Sequence, residues 1–468
     1  MAGITGLGSG IDIDTLVSTL VTAEQAPKKA ALDRLETATT TKVSALGQLR
    51  GALSTFQTAI TALNSPTLFE KRAATSSDTS LATATTTSAA QAGSYALKVT
   101  QLAASSQTVT ASVNAGTTFS AGTLTVHLGA SDTGTLVNVA DGATLEDIRD
   151  TLNESLADTG ITASLITNPG DGKTRLVMTS TETGEGKDVY ITATGGVSAL
   201  AIGDVLDPDN LSAATDSTAG FLREAQDAEF SINGLSMSNT TNTISTAIDG
   251  VTFNLVGADA SKTTNISVSQ DKSGVTANIK KFVDAYNALI TTTNSLTAVV
   301  SVGEGEKPVT GGLVGDASVR NLLSGIRREL SSSASEDSIK MLTDLGITTN
   351  KDGTLSTDST ALSDALDENF DAVGAFFTGD TGLMSRLDER IGAYADTGGI
   401  LESRVSALQK TLNNVDDQRD ALALRMEKVQ TRLYAQFNAM DTLVAQLTST
   451  SDWMTSAFEN LPGSSSSN

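Results

Sequence analysis

From Leu401 to Leu447, apolar side chains recur in alternating steps of three and four residues. They are Leu401, Val405, Leu408, Leu412, Val415, Leu422, Met426, Val429, Leu433, Met440, Leu443 and Leu447, with Arg419 and Gln436 the two polar members. A mean step of about 3.5 keeps one seam of a long helix turned toward a partner helix. At about 1.5 Å per residue such a helix spans roughly 70 Å, more than a globular domain needs. A second stripe lies near the other end: Leu32, Leu35, Thr39, Lys42, Leu46, Leu49, Leu53, Phe56, Ile60 and Leu63. Neither seam is stable facing water, so both termini must be held by other helices.

Between the seams the period changes to two. Tyr95, Leu97 and Val99 alternate with polar residues, as do Leu124, Val126 and Leu128, then Phe230 and Ile232, then Val251, Phe253 and Leu255, then Ile266 and Val268. Asp171-Gly172, Asn233-Gly234 and Asp249-Gly250 supply hairpin turns between such runs. One helix interrupts the strands: Thr144 is an N-cap with Asp147 three residues on, ahead of a stripe of Leu145, Ile148, Leu152 and Leu156. Residues 195–222 lack periodicity and read as a loop or tip.

Helix is expected again over Val275–Leu289, Val319–Leu330, Leu362–Phe377 and Leu383–Ile391, with a hairpin turning at Asp352-Gly353. Pro27 suits a first helical turn and not an interior one. The spacing therefore predicts a break near Ala26 and a helix from Lys28 to Leu63, stopped by Asn64-Ser65-Pro66. The nearest partners of the first seam by type lie after residue 275. The fold class that follows is α+β and multidomain, with long coiled-coil-like terminal helices forming a stalk or bundle and β-rich head domains inserted.

The formal charge of −23 on 468 residues disfavours phosphate backbones and anionic lipid, so nucleic acid and membrane insertion are not expected. No run of apolar residues is long enough to span a bilayer, and no basic, then apolar, signal segment opens the chain. With no Cys there are no disulfides, thiolate metal sites or Cys nucleophiles. That composition fits either ordinary bias in a helix-rich protein or a chain exported unfolded, by a route needing no cleaved signal.

Chemistry is hard to find. The single histidine, His127, falls with Thr123 and Thr125 on the polar face of a strand, where a solvated side chain is expected. Gly172-Lys173-Thr174 lacks the earlier glycine of a phosphate loop, because position 167 is Thr167. The stretch from Thr348 to Ser359 has no carboxylate at either end of a would-be calcium loop. No catalytic residue, cofactor or metal ligand is assigned, and the chain is not expected to be an enzyme.

Five ordered stretches carry a resemblance. GLGSGIDIDTLVSTLV at residues 6–21, SYALKVTQLA, FSINGLSMSNTTNTISTAIDGVTFNL, VSQDKSGVTANIKKFVDAYNALI and YAQFNAMDTLVAQLTSTSDWM together resemble the bacterial flagellar filament cap proteins, the FliD family or flagellar hook-associated protein 2. TLEDIRDTLNES with the following ITASLITNPGDGKTRLVMTSTETG is similar to a repeat module of flagellar axial proteins. Trp453, Phe458 and the tail LPGSSSSN depart from that pattern.

The resemblance implies a structural protein at the filament tip, exported by the flagellar type III route, that retains flagellin and promotes its folding and insertion. It implies a ring of identical copies, most often five, touching flagellin and the hook-associated junction proteins, with an export chaperone beforehand and host glycans as a further partner. Another axial component, such as a hook–filament junction protein, or a tip adhesin is the alternative. The expected division is legs at 1–40 and 430–468, a helical bundle at 41–72 and 273–429, an inner β domain at 73–100 and 221–272, and an outer one at 101–220. Filament or ring contacts are expected at Leu7, Ile11, Ile13, Leu16, Val17, Leu20, Leu433, Phe437, Met440, Leu443 and Leu447. Chaperone contacts are expected at Met440, Leu443, Val444 and Leu447.

Overall fold

The computed structural model describes Gly10 and residues 12–203, 212–303, 306, 308–333 and 338–459. The chain is α+β, and it divides into two compact units: α1 with everything from Lys272 onward, and residues 67–271. The nine helices among the described residues are α1 (Ile13–Leu63), α2 (Pro66–Glu70), α3 (Leu145–Ser155), α4 (Lys272–Thr297), α5 (Ala317–Ser331), α6 (Ser359–Glu368), α7 (Phe370–Phe377), α8 (Leu383–Ala395) and α9 (Ile400–Glu459).

In the helical unit, α1 packs against α4, α8 and α9. Its seam from Leu46 through Leu49, Leu53, Phe56 and Ile60 to Leu63 is fully buried, as the spacing required. Phe56 meets Phe282 and Tyr286 of α4 at ring-centroid distances of 5.4 and 5.7 Å. Three expectations need correction here. First, α1 does not break at Ala26: it runs unbroken for 51 residues with Pro27 inside, starting from Asp12, whose carboxylate accepts from the Thr15 N–H at 3.0 Å. An interior proline costs about 3 kcal/mol, but buried side chains on both sides, Val17 before it and Leu32 after it, hold the two stretches in line. Second, Leu35 is exposed, because Glu36 turns toward α9 and pairs with Arg419. Third, residues 362–377 form two helices and not one, parting at Asn369 so that Phe370, Val373, Phe376 and Phe377 can all turn inward.

In the unit of residues 67–271, two separate apolar cores organise the strands. One lies under a five-stranded antiparallel sheet in the order Arg72–Ser76, Thr264–Gln270, Gly93–Gln101, Ala228–Ile232, Leu235–Asn239, and a three-stranded sheet of Thr243–Ile248, Val251–Leu255 and Ala82–Thr86. Leu97, Val99, Phe230, Ile232, Phe253 and Ile266 fill it, which is the inward set of the period-two pattern. The Asn233-Gly234 turn has φ of +49° and +85°, the left-handed pair that a two-residue hairpin needs.

The other core packs α3 against Ile161–Thr167 and Lys173–Thr183, with Gly122–Leu128, Thr135–Val139 and Val189–Gly195 contributing Leu124, Val126, Val137, Val189 and Ile191. Thr144 and Asp147 form a reciprocal capping box at the start of α3, and Leu145, Ile148 and Leu152 are buried. Gly172 lies in the hairpin between Ile161–Thr167 and Lys173–Thr183.

Two expectations are overturned in this core. Residues 195–222 are not simply a loop: Val197, Leu200 and Ile202 are buried, and residues 220–223 form a strand beside Ser105–Val109. Only the part from 204 to 211 lies outside the described residues. His127 is not solvated but 7% exposed. Its Nδ1 sits 3.0 Å from the Asp132 carbonyl, so that nitrogen carries a proton and donates it. Gly134 closes over the ring, at φ +78°.

Candidate assembly surface on the terminal helices

α1 and α9 run antiparallel, as successive cross-pairs show: Arg50 with Glu402, Asp33 with Arg419, Glu24 with Arg425 and Asp14 with Tyr434. Arg419, one of the two polar members of the α9 seam, reaches Asp33 at 2.6 Å and also Glu36. One guanidinium facing two carboxylates fixes the stagger of the helices, as a polar seam residue does in a coiled coil. The bonds lower the pKa of both acids, Lys29 acting first on Asp33 and Arg419 first on Glu36. The Asp14 carboxylate raises the pKa of the Tyr434 hydroxyl that donates to it.

Among the described residues, this register leaves the apolar stripe at the far end of α9 with no facing segment of α1. α1 begins at Ile13, opposite the turn holding Leu433 and Phe437, whereas α9 continues to Glu459. Along that overhang Met440 is 47%, Leu443 57% and Leu447 61% exposed, and Met454 and Phe458 extend the same stripe in steps of three and four. So many large exposed apolar side chains on one line of a 60-residue helix make it the candidate interaction surface.

The expected contact residues thus separate into groups. Leu7 and Ile11 lie outside the described residues. Ile13 and Val17 are buried within this chain, Leu16, Leu433, Phe437 and Val444 are half-buried, and Leu20, Met440, Leu443 and Leu447 are exposed. Trp453, at 70% exposed, and Met454 and Phe458 were not among those expected. The continued spacing through Ser451 was the signal that would have found the last two. A second apolar surface also went unread: the ribbon of Val299–Val300 and Val309–Thr310, where Val299, Val300, Val302 and Val309 are each about half exposed or more, announced only by a run of valines.

Among the described residues, no group of three or more His, Asp or Glu side chains is placed to hold a metal ion. None of the described helices is long and apolar enough to cross a membrane.

The family profiles for the N-terminus and C-terminus of flagellar hook-associated protein 2 match residues 9–107 and 225–449, and the flagellin hook IN motif matches residues 123–182. The chain is 49% identical over 467 residues to the A-type flagellar hook-associated protein 2 of Pseudomonas aeruginosa, covering 98% of each. It belongs to the flagellar hook-associated protein 2 family. A flagellar hook-associated protein 2 of Escherichia coli strain K12 is 33% identical over 474 residues, covering 98% of this chain and 99% of that one. The crystal structure of the D1-D2-D3 domains of the flagellar cap protein FliD from Escherichia coli matches with a TM-score of 0.58 at 32% identity, over 78% of this chain and 99% of that chain. Flagellar hook-associated protein 2 is the filament cap, a structural component of the flagellum, so this chain's place is the flagellar tip.

Proposed function

We propose that this chain caps the filament by docking the overhang of α9 onto neighbouring axial subunits, while a ring of identical copies keeps exported flagellin from escaping and lets it fold and insert at the distal end. The observation that carries the reading is the exposed stripe of Met440, Leu443 and Leu447, on a helix that has outrun its partner within the chain. Contacts made by a few exposed apolar side chains are individually weak, so they can break and re-form as each subunit is added.

In this reading the segments 1–40 and 430–468 are legs, the helices of 41–72 and 273–429 their support, and the two β cores the inner and outer parts of the ring. Five copies are the proposed stoichiometry. Before export, Met440, Leu443, Val444 and Leu447 are the segment that a chaperone covers. Export takes the flagellar type III route, and the chain performs no catalysis.

The test begins with cells lacking the gene. Bare hooks with abundant flagellin in the culture medium are expected, and purified protein added from outside restores filaments. Protein truncated before Leu443 stays soluble and restores none. Normal filaments on cells carrying only that truncation would overturn the docking role of α9.

A further inference from the structure

α1 is fastened to α9 at two places with an unfastened stretch between. Ile13 and Val17 are buried and burial resumes at Leu32, but no residue from 18 to 31 is buried. On the facing helix Val415 and Met426 are buried and nothing from 416 to 425 is. Here the helices are bridged by exposed polar pairs, Glu24 with Arg425 at 3.5 Å and the Lys28 ammonium donating to Gln418 at 2.9 Å. An open cleft of about 450 Å³ lies between Glu24, Lys28, Leu422, Arg425 and Met426.

Pro27 stands in the middle of this stretch. It has no N–H for the carbonyl of Ala23, and its ring crowds that carbonyl. α9 contains neither Pro nor Gly from Ile400 to Glu459. The missing hydrogen bond is therefore confined to α1, with α9 the continuous spine.

We propose that residues 13–26 are a hinged strap that swings on Pro27 away from α9, baring Val429, Leu433 and Phe437. With the strap open, the exposed stripe becomes continuous from Met426 to Leu447; with it closed, docking is confined to the overhang. The strap thus sets how much of α9 a partner helix can engage. The inference rests on the α1–α9 geometry and stands or falls independently of what the partner is.

The absence of Cys makes single thiols unambiguous reporters in the full chain. Val429→Cys lies under the strap, Val415→Cys lies beyond the cleft, and Leu447→Cys is on the bare overhang. The labelling rate of Val429→Cys is expected between the other two, at least about tenfold above Val415→Cys, since local opening lies far below global unfolding in free energy. Adding Pro27→Ala restores the missing N–H and is expected to slow Val429→Cys labelling by at least about tenfold, leaving the other two sites unchanged. Val429→Cys as inert as Val415→Cys, as fast as Leu447→Cys, or insensitive to Pro27→Ala would overturn the strap. Amide exchange of the unsubstituted protein guards against a misfolded variant. Residues 15–26 should exchange roughly 100-fold faster than residues 46–60, and equal protection of the two would likewise overturn it.

Discussion

Asn287 of α4 behaves toward Leu355 as a neighbouring β-strand would. Its Oδ1 accepts from the Leu355 N–H at 2.7 Å and its Nδ2 donates to the Leu355 carbonyl at 2.8 Å. The preceding Tyr286 donates its hydroxyl to the Gly353 carbonyl at 3.0 Å, so two adjacent residues hold the hairpin of Ile347–Thr349 and Leu355–Thr357 against α4. Asn153 does the same to Ala163, and Asn242 to Ala103, each with a reciprocal pair of bonds. Backbone groups that no strand can reach are satisfied by one amide side chain.

Replacing Asn287 by Ala strands both a donor and an acceptor of Leu355. A loss of about 2–4 kcal/mol in the stability of the helical unit is expected, read from denaturant melts. Asn287→Asp, which keeps only the acceptor, should recover part of it.

Asp316 is the N-cap of α5, accepting from Ser318 and Val319, and it also receives Arg404 at 2.9 Å. Asp316→Asn preserves the cap and removes the ion pair, so it should cost less than Asp316→Ala, for which about 1–2 kcal/mol is expected from the cap alone. Arg404, ahead of the backbone bonds, holds the Asp316 carboxyl below its usual range. A depressed carboxylate stabilises the fold above its unfolded pKa, and the benefit drains away as pH falls through the folded one. The difference between wild type and Asp316→Asn should therefore shrink below about pH 4.

The same sign applies at the α1–α9 stagger. Asp33 and Glu36 are both lowered, so their pairing with Arg419 is present at neutral pH and lost on the acid side. Helicity of the terminal pair, followed by circular dichroism, should fall in acid and in high salt. Arg419→Gln should weaken both dependences, chiefly through Glu36, while Lys29 still holds Asp33 down.

His127→Ala empties a buried site and frees the Asp132 carbonyl, so a loss of about 1–3 kcal/mol is expected, confined to the core around α3. Gly134→Ala should be comparably costly. It combines φ +78° with a Cβ that would lie 2.5 Å from the His127 ring. Filament growth should survive both wherever that core stays folded; loss of growth in a folded His127→Ala protein would give the residue a direct role.

Leu443→Ser with Leu447→Ser removes side chains that are more than half exposed. The melting temperature should move little, since surface changes are usually within about 0.5 kcal/mol. Filament restoration by added protein should nevertheless fail.

Much of this was legible because it is local. Steps of three and four require a helix with one apolar face, alternation requires a half-buried strand, and Asn233-Gly234 or Thr144 with Asp147 name their own turn and cap. The two seams also require helical partners, which the sequence offers only toward its ends. What failed was whatever another element had to supply. His127 looks solvated by alternation alone, because the loop that covers it closes from Asp132 and Gly134. Val197, Leu200 and Ile202 have no period, because they enter a core built by other segments.

Long helical ends around a β-rich middle follow from the spacing of apolar residues, and the ordered blocks place the chain among the flagellar caps. Where α1 stops against α9 depends on how the two helices pack. Of the residues expected to meet partners, Ile13 and Val17 are spent inside the chain while Met440, Leu443 and Leu447 remain free. Apolar spacing says only that a face must be covered. What covers it is settled by stagger, and the stagger is set by Arg419 meeting Asp33 and Glu36, residues nearly four hundred positions away in the chain.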